Sequence, residues 1–142
     1  MTRVYGPYRR ANCFLRDAIV SGASGAVIAI PCDPDFSYHY AYVDDVVGAI
    51  NAVLTAKSIP HSAYNVTSGE VLSMPEIAAT LTKLLPSARL ELVPGKDDAP
   101  EVQDRFSLDL MKADFGWVPA FSLARGLSEY VAAARRCREA LN

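Results

Sequence analysis

Residues 43–56, VDDVVGAINAVLTA, constrain the fold more than any other stretch of the chain. Val43, Val46, Val47, Ile50, Val53 and Leu54 share one side of a helix with about 3.6 residues per turn. A stripe this apolar needs a second layer to cover it. Asp44 and Asp45 lie in the first turn, where the helix dipole favours negative charge. Neighbouring helical residues point about 100° apart, so one carboxylate is expected to face solvent. Helix-start stabilisation accounts for the pair better than a shared acid site.

The rest of the chain alternates short strands with helices. Phe14, Leu15, Ala18 and Ile19 have helical spacing within 11–21, and Gly22 stops that helix. Residues 25–31 (GAVIAIP) read as a strand ended by Pro31, and 32–37 as loop. Strand propensity returns at 38–42 and, briefly, at Tyr64-Asn65-Val66. Ser73-Met74-Pro75-Glu76 is a capping box, a hydroxyl cap with glutamate three residues later, opening a helix that Pro86 ends. Residues 89–93 alternate as a strand, and 94–104 are loop. A short helix runs from Asp109 to Phe115 and stops at Gly116. Ser122 caps a last amphipathic helix carrying Leu127, Tyr130, Val131 and Ala134. The pattern predicts an α/β (or α+β) fold.

The 142 residues allow one modest core, and 51% hydrophobic with 21% charged residues is an ordinary globular balance. A net charge of −2 gives no electrostatic case for nucleic acid or an anionic membrane as partner. Arg9-Arg10 and Arg135-Arg136-Arg138 read as solvated faces. Cysteines 13, 32 and 137 form no C-x-x-C pair, so neither a disulfide framework nor a zinc site is expected. Free thiols fit a cytoplasmic location.

Chemistry is sparse. Gly22 and Gly25 follow a helix, whereas a dinucleotide loop follows a strand, so they read as a helix stop and a turn. No tyrosine has lysine four positions on, the pair a short-chain reductase uses to shuttle a proton. Tyr5 has Arg9 at that spacing, but arginine stays protonated. His39 and His61 are isolated and read as surface or half-buried residues; no metal and no catalytic residue are expected. The opening run Thr2-Arg3-Val4-Tyr5 stops at Gly6-Pro7 and looks like the end of a strand with almost no beginning. A truncation or a split gene is the expectation that follows.

Val4-Tyr5-Gly6-Pro7, Tyr42-Val43-Asp44-Asp45-Val46-Val47, Tyr64-Asn65-Val66 with Ser68-Gly69, and Phe115-Gly116-Trp117-Val118-Pro119 occur in that order. Together they resemble the second half of the NAD(P)-dependent epimerases and dehydratases, the extended short-chain dehydrogenase/reductase family. The resemblance covers essentially the whole chain. It implies one substrate-binding domain over 1–142, with remnants of a Rossmann sheet at about 1–7 and 40–66. The cofactor, NAD or NADP, would belong to the complete enzyme, and none is expected to bind this chain alone.

By the same resemblance Val4, Tyr5, Gly6 and Pro7 form the turn on the nicotinamide side. Asn12, Phe14 and Arg16 line a substrate pocket, or simply begin an amphipathic helix. Arg105 holds a substrate phosphate, or bridges to Asp104 or Asp109 at the surface. Asp45 is mainly structural. Tyr38 stands where nucleotide-sugar members commonly carry a second arginine, which favours a free sugar acid, a lactone or another small polyol carbonyl. The implied function is the substrate-binding half of an enzyme acting on a sugar-like alcohol or carbonyl, not catalytic alone. The alternative is a stand-alone binding module that kept the fold, or a noncatalytic subunit completing a partner chain. Expected partners are a sugar-like small molecule, a Rossmann-half polypeptide, and further copies of the chain through exposed apolar surface.

Overall fold

The computed structural model describes residues 3–9, 13–22, 25, 27–33, 36–95 and 105–139, with side chains to 137. The expectations for Asn12 and for the loop at 96–104 lie outside the described residues. In chain order the elements are β1 (Arg3–Tyr5), α1 (Phe14–Ser21), β2 (Val27–Cys32), β3 (Ser37–Tyr38), β4 (Tyr40–Tyr42) and α2 (Val43–Leu54). They continue with β5 (Leu72–Ser73), α3 (Met74–Leu84), β6 (Arg89–Pro94), α4 (Asp109–Phe115) and α5 (Leu123–Glu139). Mixed helix and strand match the predicted class.

The described strands pair in twos: β1 with β4 in parallel, β2 with β6 in parallel, and β3 with β5 antiparallel. β2 continues through Pro31 to Cys32, and Ser37 already belongs to β3, so the expected loop is shorter than 32–37. Gly95 N–H donates to the Cys32 carbonyl beside β6, so Pro31, one residue back, faces its missing N–H away from the ladder.

Tyr64–Val66 is not a strand. Both of its large side chains pack instead with Ala49, Met111 and Trp117 between α2 and α4. The Tyr64 hydroxyl donates to Asp114 at 2.7 Å, which fixes the segment by side chains rather than by a ladder.

The main core joins α1, α3 and α5 across the strands through Leu15, Ile19, Ile30, Ile77, Leu81, Leu127 and Val131. Five aromatic rings, Tyr5, Phe36, Tyr38, Tyr40 and Tyr42, run through it with neighbouring centroids 4.6 to 6.2 Å apart. His39 is also buried, with its ring 5.1 Å from Phe106, so it is neither the surface nor the half-buried residue expected. A histidine between two strand tyrosines has no solvent side to turn to once both faces of the pair are covered.

The capping box forms as predicted: Ser73 N–H and Oγ both donate to Glu76, at 2.8 and 2.6 Å. These bonds, the side-chain one first, hold the Glu76 carboxyl below its ordinary value of 4.5. A carboxyl depressed in the folded state adds stability above its unfolded pKa and loses it as pH falls through the folded one. Acid titration of Glu76→Gln, followed by amide exchange in the first turn of α3, should therefore lack a protective step that the parent shows.

Helix α2 leaves part of its apolar stripe facing outward. Asp45 and Ala49 are buried, while Val47, Ile50 and Leu54 are 59%, 55% and 78% exposed. Val43, Val46 and Val53 of the same stripe are half-buried.

Candidate functional site

Two concave regions flank β1, and they divide the residues singled out in the sequence. The first is a cleft of about 450 Å³ between Val4 of β1, the Val46, Ile50 and Leu54 side of α2, and the Tyr64–Thr67 segment. Phe106 also lines it, whereas its chain neighbour Arg105 is exposed and is not one of the lining residues. Asn65 Nδ2 donates to the Ser107 carbonyl at 3.2 Å and ties down the segment after Phe106. Ser107 Oγ bonds Asp109 at 2.8 Å. The cleft wall is almost wholly apolar.

The second region, about 360 Å³, lies between the β1–α1 turn, α1 and α5. Pro7, Tyr8, Arg9 and Arg16 meet Val20 and Tyr130 here. Of the proposed contacts, then, Pro7 and Arg16 come together. Val4 lines the first cleft, and Arg105 lines neither region. Phe14 is half-buried against the core, Tyr5 and Gly6 are buried, and Asn12 lies outside the described residues. Tyr8, Arg9 and Tyr130 were not expected from the sequence. The run of two arginines after Gly-Pro was the available signal, and reading it as a solvated face missed it.

Gly6 turns the chain at φ 154° with its α-carbon against α2. A Cβ there would sit 2.5 Å from Val43 Cγ1. Gly6→Ala is expected to cost about 2 kcal/mol in urea denaturation, from the clash and the unfavourable φ together.

Tyr5 and Arg9 do not form a proton-shuttling pair. Tyr5 OH donates to the Leu123 carbonyl at 3.3 Å. Burial first, and then the nearby Glu70 carboxylate, push its phenol well above the ordinary tyrosine range. A proton shuttle needs the opposite direction. Arg9 Nη1 donates instead to the Val4 carbonyl. Arg3 N–H points to His39 beside β4, so the polar groups of Val4 point to the outer edge of β1. Arg9 therefore covers the carbonyl on a strand edge that has no ladder partner among the described residues.

Among the described residues no glycine-rich loop links a strand to a following helix, so these residues do not fit the pyrophosphate of a dinucleotide. Gly22 caps α1, and a Cβ on it would lie 2.8 Å from Ala88, which is a packing role; Gly25 sits in a turn at φ 72°. The described residues contain no cluster of three or more metal-ligating side chains. No described helix is long and apolar enough to cross a membrane.

No protein-family model matches the chain, and no curated protein matches it. Solved structures do. A dTDP-glucose 4,6-dehydratase from Bacillus anthracis, in complex with NAD, superposes with a TM-score of 0.81 at 22% identity, over 97% of this chain and 44% of that one. A UDP-glucuronic acid 4-epimerase from Bacillus cereus, in complex with UDP-glucuronic acid and NAD, gives 0.80 at 21% identity, over 96% and 44%. The chain has the epimerase/dehydratase fold over the region it spans. An epimerase from Methanothermobacter thermautotrophicus agrees, at 0.82 and 18% identity, over 99% of this chain and 43% of that one.

The resemblance carried by the four sequence motifs is thus matched by the fold, and the chain spans less than half the length of these structures. Within the epimerase/dehydratase fold, Tyr38 is a buried ring stacked on Tyr40 with the Arg3 guanidinium 5.2 Å from its centroid. It serves as a core aromatic at that position.

Proposed function

We propose that this chain is the substrate-binding portion of an NAD(P)-dependent epimerase, dehydratase or dehydrogenase acting on a sugar-like alcohol or carbonyl. On this reading residues 1–142 form a single substrate domain, with β1 and the 40–66 region continuing a nucleotide-binding sheet supplied by other polypeptide. The cofactor, NAD or NADP, binds that other polypeptide, and Val4–Pro7 approach its nicotinamide. Nothing in the described residues supplies a proton shuttle or a phosphate cradle, so the chain alone is inactive. The observation that supports the reading is the exposed part of the α2 stripe. Val47, Ile50 and Leu54 are more than half exposed on a helix whose polar Asp45 is buried. Exposed apolar area of this kind marks an association surface.

The test is made with the chain by itself and with a separately expressed Rossmann-half polypeptide. Alone, the chain should self-associate in light scattering and show no NAD(P) uptake in calorimetry. Mixed with the second polypeptide it should form a one-to-one complex that takes up cofactor. Replacing Ile50 and Leu54 by lysine should abolish both associations. Micromolar cofactor binding by the isolated chain, or a well-behaved monomer indifferent to the lysines, would end the proposal.

A further inference from the structure

We propose that the exposed stripe of α2 is the contact of a closed homodimer, in which α2 of a second copy packs against it antiparallel. The outward residues Asp44, Val47, Ile50 and Leu54 recur at steps of three and four along the helix. That spacing lets the side chains of a facing helix interdigitate with them. Val47, Ile50 and Leu54 are each more than half exposed. Ile50 and Leu54 also border the cleft of about 450 Å³, so the apolar surface extends past the helix to Val66 and Phe106. The dimer rests on the proposed function in taking the same face of α2. It adds that the isolated chain covers this face with a second copy of itself, until other polypeptide displaces that copy.

Charge selects the occupant and its direction. Asp44 stands exposed at the start of the stripe. Lys57 stands exposed beyond its other end, past the last helical residue Leu54. Among the described residues neither takes part in an ion pair. Asp114, the carboxylate beside Lys57, is already engaged: it accepts from Tyr64 OH at 2.7 Å and lies 3.7 Å from His61 Nε2. The stripe is therefore acidic at one end, basic at the other and apolar between. A two-fold axis passing between residues 50 and 51 lays Val47 against Leu54 of the second copy. The same axis brings Asp44 level with Lys57 of the second copy, at both ends of the pair. A parallel pairing would set Asp44 beside Asp44 and Lys57 beside Lys57. Antiparallel helices also place each positive helix start against a negative helix end. Exposed ion pairs add little affinity, so the charges fix direction while the apolar residues hold the copies together. A two-fold contact uses the same patch on both copies and stops at two.

The test is sedimentation velocity on the 142-residue chain. One face of a 12-residue helix is small against the roughly 800 Å² per copy of a tight interface. A monomer–dimer equilibrium in the micromolar range is therefore expected, with no larger species. Asp44→Lys should weaken the dimer about ten-fold, because each substitution enters the contact twice. Lys57→Asp should do the same. The double variant Asp44→Lys/Lys57→Asp should return to within about three-fold of the parent. Both positions are exposed, and circular dichroism checks that each variant is folded. Rescue by the double variant cannot come from a helix that failed to form. Open-ended assemblies, a chain that stays monomeric at its highest soluble concentration, or a double variant no better than the single ones would overturn the dimer. Association that yields to lysine at Ile50 and Leu54 but ignores both charge reversals would also overturn it, and would leave the proposed function standing. Charge-swap rescue without any complex with the Rossmann-half polypeptide would do the reverse.

Discussion

Gly126→Ala should cost the protein more than about 3 kcal/mol in urea denaturation, or prevent it from folding. Gly126 lies in the first turns of α5, directly above Tyr5. A Cβ added there would meet Tyr5 Oη at 2.0 Å, Tyr5 Cζ at 2.8 Å and Tyr42 Cδ2 at 3.0 Å. None of these atoms is the free end of a flexible side chain. The Tyr5 ring is locked edge-on to Tyr40 and Tyr42, at 5.8 and 5.4 Å, and its hydroxyl is tied to Leu123. Relief therefore requires α5 to lift off β1 and β4, opening the core at its centre. Tyr5→Phe removes the closest atom but leaves the ring carbon, so the double variant should recover only a fraction of the loss. A single variant as stable as the parent would show that α5 does not sit on β1 in this way.

Asp45→Ala is the second large effect, on the order of 4 kcal/mol in the same measurement. Asp45 is 4% exposed, and its two carboxylate oxygens accept from Ala120 N–H at 2.8 Å and Phe121 N–H at 3.0 Å. Removing the carboxylate strands two donors on the connection between α4 and α5. Asn in its place can accept from only one of them and turns an NH₂ toward the other, so Asp45→Asn should recover no more than about half of the loss. Glu70 has a companion role nearby, accepting from Leu123 N–H at 2.6 Å at the start of α5. A stability for Asp45→Ala within about 0.5 kcal/mol of the parent would mean that water satisfies the freed donors.

The Asp45 result also shows what the sequence could and could not carry. Its place in a first helical turn was legible, and so was the exposure of one of the two carboxylates, which is Asp44. That Asp45 tethers a loop 75 residues away was not, because local spacing says nothing about which distant amides arrive. Caps and stops were legible for the opposite reason. Ser73 with Glu76, Ser122, and Gly116 at φ 64° each act within a turn of their own position. Short strands fared worst. Leu72–Ser73 pairs because β3 lies beside it, and Tyr64–Val66 fails to pair because its side chains are taken up between α2 and α4.

The candidate site was half legible. Pro7 and Arg16 do converge, but the members that complete the groove, Tyr8, Arg9 and Tyr130, come from a turn and from a helix far along the chain. No periodicity announces a meeting of that kind. The stripe on α2 was legible as apolar and as needing a cover from outside the chain, and Val47, Ile50 and Leu54 are indeed exposed.

Arg9 has one hand on the Val4 carbonyl of β1, and its side chain also borders the groove. Any strand that came to lie alongside β1 would compete for the carbonyl it now holds. Whatever adds to the sheet would thus free a cation beside the groove, so the two faces of this turn answer to each other through one side chain.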